Sequence, residues 1–262
     1  MVEPAVTPLK ERYWEIDAVR GISLIGMIFF HTIFILSVFH IIDGSVWVWV
    51  CSYIEFGTAI FVIISGMALV LRHARMADKP RKDYYLAIVK RAVEIIIIGV
   101  AVAVICSVLI YFFIGDGRYM YFNFLQMMGV CMLISIPFLR FGKWNFIPAV
   151  LIFILGLFLE TLSGPAFLMP FGILPDGFMP RDYFPFVKWL GVMLLGVGLG
   201  SVFYPHGFRR FSLPKANSVA KALAVVGKYP LQIYLIHLPV IGAVVFLIVV
   251  ISGLLGFPIG YI

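Results

Sequence analysis

The sequence is poor in charge. Only 13% of its 262 residues are Asp, Glu, Lys or Arg, whereas 63% are hydrophobic. A soluble domain carries about a quarter charged residues and about half apolar ones. No long polar region is present that could form a soluble domain beside a single anchor. Together with a mean hydropathy of +1.07, these deficits predict an all-α, polytopic membrane helix bundle.

Cysteine and familiar catalytic motifs are also scarce. The three cysteines are odd in number, show no CxxC spacing and lie in apolar stretches, so they predict core packing and neither a disulfide nor a metal site. The sequence has no GxSxG, HExxH, Walker or dinucleotide-binding pattern. Buried polar side chains therefore become the main guide to function.

Seven apolar stretches have about the 20 residues that a membrane crossing needs. They cover residues 18–42, 46–71, 86–114, 119–139, 145–163, 185–204 and 230–256. With the N-terminus in the cytoplasm, 17 of the 20 lysines and arginines fall on the cytoplasmic side and 3 on the outer side. We therefore expect one multi-pass plasma-membrane domain over 1–262, with a cytoplasmic segment 1–15 and an outer C-terminus. The positive charge sets this topology, so no nucleic-acid partner is expected.

The first span carries the most informative polar residues. His31 follows Asp17 by nearly four helical turns and Arg20 by about three, so the three residues share one face of the helix. His31 falls near mid-membrane, where ionisable groups are costly and indicate function. His40 lies on the opposite face at the outer end of the span and is the second candidate.

Glu55 in the second span lies at a depth similar to that of His31. A carboxylate from Glu55 or Asp17 that orients the imidazole would make His31 a general base. The alternative is a structural polar clamp between neighbouring helices.

Other polar positions give weaker signals. Asn123 and Gln126, one turn apart in the fourth span, are either interhelical hydrogen-bonding groups or acceptor-binding groups. The basic loop 72–91 is either a topology determinant or a docking surface for an anionic ligand, and Arg91 either snorkels or binds a phosphate. Residues 213–229 are compatible with an interfacial helix.

Several of these residues occur in runs that resemble a known family. The opening Arg-Tyr-Trp-Glu-Ile-Asp-Ala-Val-Arg-Gly-Ile of residues 12–22, followed by His31, resembles the heparan-alpha-glucosaminide N-acetyltransferase catalytic-domain family. It is similar, more distantly, to acyltransferase-3 membrane enzymes. Further matching runs are 61–66, 90–91, 182–185, 189–200 and 233–239.

The resemblance implies a transmembrane acyltransferase that uses acetyl-CoA as its acyl-donor substrate. In that family pattern Arg20 and Arg91, with Arg72 and Lys90, would hold the phosphates of acetyl-CoA. His31, oriented by Glu55 or Asp17, would take the proton from an amine or hydroxyl acceptor or carry the acyl group itself. The acceptor would be an extracytoplasmic glycan, amino sugar or lipid-linked sugar. Candidate acceptor-binding residues are Asn123, Gln126, Asp182 and His237.

The sequence departs from the family at Gln126, where many relatives have His, and at Lys188, where many have Pro. Eukaryotic relatives place their proposed catalytic His nearer to His40. The competing functions are a transporter or flippase for a lipid-linked or acylated molecule, and a structural membrane protein with degenerate catalytic residues. The absence of an internal repeat weighs against transport. The oligomeric state is left open, with a homodimer as one alternative.

Overall fold

A computed structural model describes residues 12–76, 80–115 and 119–260. Residues 1–11 of the expected cytoplasmic segment, together with Lys79 and Arg118 of the charge count, lie outside the described residues. The structure is 77% helical, and its described part contains no sheet. Its helices are α1 (Trp14–Val38), α2 (Gly44–Cys51), α3 (Ile54–Arg75), α4 (Arg81–Ile114), α5 (Phe124–Ser135), α6 (Phe146–Leu159), α7 (Phe186–Phe203), α8 (Ser218–Gly227) and α9 (Pro230–Leu254).

Six helical stretches among the described residues are long and apolar enough to cross a membrane. They are Trp14–Val38, Gly44–Arg75, Lys82–Phe112, Phe124–Leu159, Phe186–Phe203 and Pro230–Leu254. Large apolar side chains stand exposed along them, for example Phe112 at 77% and Leu254 at 82% of full exposure. Such an apolar exterior suits lipid contact, so the expected all-α membrane bundle is confirmed.

The fourth stretch, Phe124–Leu159, folds back on itself. Gly142 has φ 54° and ψ −129°, a non-helical conformation inside the 3₁₀ segment Ile136–Asn145. Both ends of the stretch then lie beside the start of α7: Phe184 donates its N–H to the carbonyl of Phe122 at 3.1 Å, and Lys188 Nζ lies 3.0 Å from Glu160 Oε1. The stretch therefore has two limbs, which correspond to the fourth and fifth of the seven predicted spans.

The described chain forms two compact units. The first comprises Ser65–Ser212, and the second comprises residues 12–64 and 213–260. Helix α3 passes from the second unit into the first between Ile64 and Ser65.

Helix α7 is the most buried helix of the first unit. Glycines on its faces allow backbone-to-backbone approach: Gly191 packs against the backbone of Ala149 and Phe153 in α6, and Gly200 packs against Met67 in α3. Small residues at helix contacts are the usual means of close packing inside a membrane. The side chains of Met193, Leu194 and Val197 are fully buried.

In the second unit α1 packs against a hairpin made of α8 and α9. Asp17 and Gly21 of α1 lie beside Gly227 and Leu223 of α8, so these two helices are antiparallel. Phe39 then lies beside Phe246, which makes α9 parallel to α1. A chain whose first and last crossings are parallel crosses the bilayer an odd number of times. This direction agrees with seven crossings once the two limbs of Phe124–Leu159 are counted separately.

Helix α8 is too short to cross a bilayer. Its 10 residues span about 15 Å. Asn217 caps its start by accepting the N–H of Ala220 at 2.8 Å. Ala224 and Gly227 are buried toward α1, whereas Lys221 is exposed. This is the kind of short helix that the sequence allowed for residues 213–229.

Candidate functional site

A buried acid and two arginines lie at the N-terminal end of α1. Asp17 is buried, with its carboxylate 3.1 Å from Arg12 Nε and 3.2 Å from Arg20 Nη1. Arg20 Nη1 also donates to the carbonyl of Gly227 at 3.4 Å. The side chain of Arg20 is only 11% exposed, whereas that of Arg12 is 52% exposed. Asp17 and Arg20 thus contact each other and the end of α8, and both observed contacts of Arg20 use one terminal nitrogen.

His31 faces a second histidine from α9. His237 Nε2 lies 3.3 Å from His31 Nδ1, and the two ring centroids are 4.8 Å apart at an angle of 69°. His31 Nδ1 also lies 2.9 Å from the carbonyl oxygen of Met27. His31 is half-buried, and His237 is buried at 6% exposure. The structure therefore brings together two of the predicted site residues, one expected in catalysis and one in acceptor binding.

The histidine pair lies inside the apolar part of the second unit. His31 is about 16 Å along α1 from Arg20, which is about half of the hydrocarbon thickness. Phe30 packs its ring edge against His31, at 5.3 Å between centroids. Trp47 of α2 packs against Phe30 and Phe34 at 4.7 and 4.8 Å. Two imidazoles in such surroundings are uncommon, because ionisable side chains in the hydrocarbon region cost free energy.

Asp17 and Glu55, the predicted carboxylate partners of His31, are not among its observed hydrogen-bonding partners. Asp17 is about 21 Å away along the same helix and is bonded to two arginines, so the expectation that it orients His31 does not fit this geometry. Glu55 stands in the first turn of α3 with an exposed side chain. The observed hydrogen-bonding partners of His31 are Met27 and His237.

His40 follows the end of α1 with a positive φ of 53° and is exposed. Its position on the outer side of the membrane stays a prediction.

Three of the four predicted phosphate-binding residues lie in the first unit, close to one another. Arg72 of α3 reaches the carbonyl of Ala87 in α4 with its Nη2, at 3.5 Å. Lys90 and Arg91 follow Ala87 by one helical turn. Arg91 also pairs with Glu94 at 2.9 Å. We call Arg72, Lys90 and Arg91 the basic cluster.

The predicted acceptor-binding residues Asn123 and Gln126 form a helix cap. Asn123 accepts the N–H of Gln126 at 3.1 Å, and Gln126 Oε1 accepts the N–H of Asn123 at 2.9 Å. Asn123 Nδ2 also donates to the carbonyl of Gly99 in α4 at 2.7 Å. Asn123 is fully buried, so these contacts are those of the interhelical alternative rather than of an open binding site.

Asp182 lies in the connection between α6 and α7. Its φ of 46° is left-handed, a conformation that Asp adopts more readily than most residues. Removal of its carboxyl from water raises the pKa of Asp182 to about 6. Burial and the negative charge of Glu160 also raise the pKa of neighbouring Tyr183. Asp182 can therefore hold a proton at a pH where most carboxyls have lost theirs.

Comparison with known proteins identifies the family. The family model described as heparan-alpha-glucosaminide N-acetyltransferase, catalytic, matches residues 12–239. The chain belongs to this family. No curated protein and no solved structure matches it.

The N-acetyltransferase match spans both units and includes the N-terminal end of α1, the basic cluster and both histidines. Family and fold together make the chain a multi-pass membrane protein of an acetyltransferase family. Sequence reasoning named His237 but missed its contact with His31. The available signal was that His237, like His31, is an ionisable side chain inside a predicted span, where such groups usually pair with one another or with backbone carbonyls.

Proposed function

We propose that this N-acetyltransferase family member moves an acetyl group from cytoplasmic acetyl-CoA to an amine or hydroxyl of an extracytoplasmic glycan or lipid-linked sugar. The observation that supports it best is the histidine pair of α1 and α9, inside the apolar helices and inside the family match. In our proposal His31 is the general base. The chain acts as one domain in the plasma membrane, with its N-terminus in the cytoplasm as the 17-to-3 charge distribution predicts.

The chemistry needs one proton acceptor near the reacting carbonyl. With an amine acceptor, His31 takes the N–H proton as the nitrogen attacks the thioester carbonyl. The new C–N bond forms, the C–S bond breaks, and the proton passes to the departing CoA thiolate. An acyl-histidine intermediate on His31 is the alternative path, in which the imidazole attacks the thioester first.

Phosphate binding is assigned to the basic cluster before Arg20. Arg72 of α3 reaches the carbonyl of Ala87 in α4, which Lys90 and Arg91 follow by about one helical turn, and Arg and Lys are the usual phosphate partners. Arg20 is largely buried, and its guanidinium is already bonded to Asp17 and to the carbonyl of Gly227. Arg20 therefore ranks below the cluster as a donor-binding residue.

The test is acyl transfer by the purified protein in lipid nanodiscs. Labelled acetyl-CoA is incubated with amino sugars, their N-acetylated forms and lipid-linked saccharides. We expect label in the amino-sugar product, and a loss of about 10²–10⁴-fold in His31→Gln, the range attributed to a general base. His40→Gln is the matched control, since it removes an exposed imidazole beyond the same helix. No transfer to any acceptor, combined with movement of a lipid-linked sugar between leaflets, would favour the flippase.

Donor binding is tested separately by calorimetry. Arg91→Gln should weaken the affinity for acetyl-CoA, and the loss should shrink at high salt because it is a charge interaction. Arg140→Gln, which removes an exposed arginine that stacks on Phe141, is the control. Equal affinities in the two variants would remove the basic cluster from the donor site.

A further inference from the structure

The hydrogen bonds of His237 define which of its ring nitrogens carries a proton. His237 Nδ1 lies 2.7 Å from the carbonyl oxygen of Tyr234 and 3.1 Å from that of Ile233. A carbonyl oxygen only accepts hydrogen bonds, so Nδ1 must be the donor. In a neutral imidazole the other nitrogen then has a lone pair. His237 Nε2 is therefore an acceptor, and it points toward His31 Nδ1.

The same reasoning fixes the second ring. His31 Nδ1 faces two acceptors, the carbonyl oxygen of Met27 at 2.9 Å and His237 Nε2 at 3.3 Å. Only a protonated Nδ1 satisfies both. The proton of a neutral His31 is thus on Nδ1, and its Nε2 has the lone pair. The neutral rings are the relevant reference because a charge inside the hydrocarbon region is costly.

We propose that His237 is a positioning residue that holds His31 in the Nδ1–H tautomer and leaves His31 Nε2 as the proton-accepting atom. The inference rests on the proposed function, in which His31 is the base. It assigns to His237 the role that a carboxylate has in many histidine sites, and gives it no contact with the acceptor.

The anchoring of His237 explains why an imidazole can act in this role. Its Nδ1–H is bonded to carbonyl oxygens one turn earlier in α9, so the ring is fixed relative to the helix backbone. When His31 Nε2 takes a proton from the acceptor, the ring becomes an imidazolium with two N–H groups. Its Nδ1–H stays bonded to Met27 and to His237 Nε2, which stabilise the positive charge. The proton then leaves from Nε2 to the CoA thiolate, and His237 keeps its own proton throughout.

Nitrogen NMR tests the tautomer without any assay of activity. The chain has five histidines, and ¹⁵N-histidine labelling in nanodiscs resolves protonated from bare ring nitrogens. The signals of His31 are assigned as those missing from His31→Gln. We expect a protonated Nδ1 and a bare Nε2 for His31 in the unaltered protein. A bare Nδ1 on His31 would overturn the inference, whatever the enzyme activity.

Two variants at position 237 separate positioning from mere packing. His237→Phe keeps a ring but removes both nitrogens, so the Nδ1–H of His31 retains only the carbonyl of Met27 as its acceptor and the Nε2–H tautomer should gain population. The kcat should fall by at least about tenfold with little change in KM, and by less than the loss in His31→Gln. His237→Gln places an amide oxygen near the former Nε2, so it should restore the His31 tautomer and most of kcat.

Each result distinguishes the inference from the function on which it rests. If the His31 tautomer is as proposed but His31→Gln stays active, the proposed catalytic role fails while the pairing stands. If His237→Phe leaves the His31 tautomer unchanged, the pairing is wrong even if activity falls. Should His237→Phe not fold, His237→Gln and the unaltered protein still decide the matter. A Gln variant that folds but shows a mixed His31 tautomer contradicts the inference.

Discussion

The contact between α1 and α8 gives a sharp steric prediction at Gly21. A Cβ at this position would overlap the carbonyl oxygen of Leu223 and lie 2.9 Å from its carbonyl carbon and 3.3 Å from Gly227 N. All three atoms belong to backbone, so no side chain can turn away and the helices must separate. Overpacking costs about 1–3 kcal/mol, and an alanine in a helix recovers about 1 kcal/mol of propensity. Because the obstacle is rigid, we expect Gly21→Ala to lose about 2 kcal/mol net.

Gly26, five residues further along the same helix, is the matched control. No atom lies within 4 Å of a Cβ built there, so Gly26→Ala should be neutral or gain up to about 1 kcal/mol. The measurement is the free energy of unfolding in mixed detergent micelles titrated with a denaturing detergent. Equal stabilities of the two variants would show that α8 does not pack against α1 in the membrane.

Three further predictions concern polar contacts. Asp17→Asn leaves a buried guanidinium without its carboxylate and should cost about 3 kcal/mol of unfolding free energy. Arg12→Gln removes a half-exposed guanidinium and leaves Asp17 paired with Arg20, so it should cost less than about 1 kcal/mol; similar losses in both variants would contradict the burial of Arg20. Asn123→Ala removes a helix cap and a bond to α4 and should cost about 2 kcal/mol in the same titration, and no loss would argue against the cap. Because the folded protein raises the pKa of Asp182 to about 6, it binds more protons than the unfolded chain between about pH 4 and 6. Stability should therefore fall as pH rises through that window, and Asp182→Asn should remove this slope; an unchanged slope would place the titration elsewhere.

Composition and hydropathy were enough to predict the helical bundle and most of its spans. The predicted 18–42, 86–114, 185–204 and 230–256 overlap α1, α4, α7 and α9, because runs of about 20 apolar residues leave few alternatives in a membrane. The breaks were harder to predict. Gly142 alone does not predict a reversal. The 3₁₀ segment around it is closed by local bonds from a side chain to the backbone, such as Asn145 Nδ2 to Gly142 O at 2.7 Å, which hydropathy does not reveal.

The candidate site was predictable in its parts and not in its pairings. The depth of His31 followed from counting residues along a helix. Its partner did not, because whether a first and a last helix lie side by side is a property of packing that local pattern does not encode. The expected pairing with Glu55 relied on sequence neighbours being neighbours in space. The three-residue spacing of Asp17 and Arg20 already put them on one face of α1, but the second contact of Arg20, with the carbonyl of Gly227, depends on the packing of α8 against α1.

Three residues of the opening motif, residues 12–22, hold α1 against α8. Asp17, Arg20 and Gly21 all contact α8: one through its main-chain carbonyl, one through a guanidinium, and one through the absence of a side chain. From Arg20 to His31 α1 rises about 16 Å, and after the turn at Lys228 and Tyr229 the helical part of α9 from Pro230 to His237 rises about 10 Å. The bond of Arg20 to Gly227 fixes the place where the chain turns into α9 beside α1, and further along the two parallel helices the histidines come within 3.3 Å. In this reading the motif sets the register of α1 against α9, and a change at Gly21 should disturb the bond between His31 and His237 about 16 Å away.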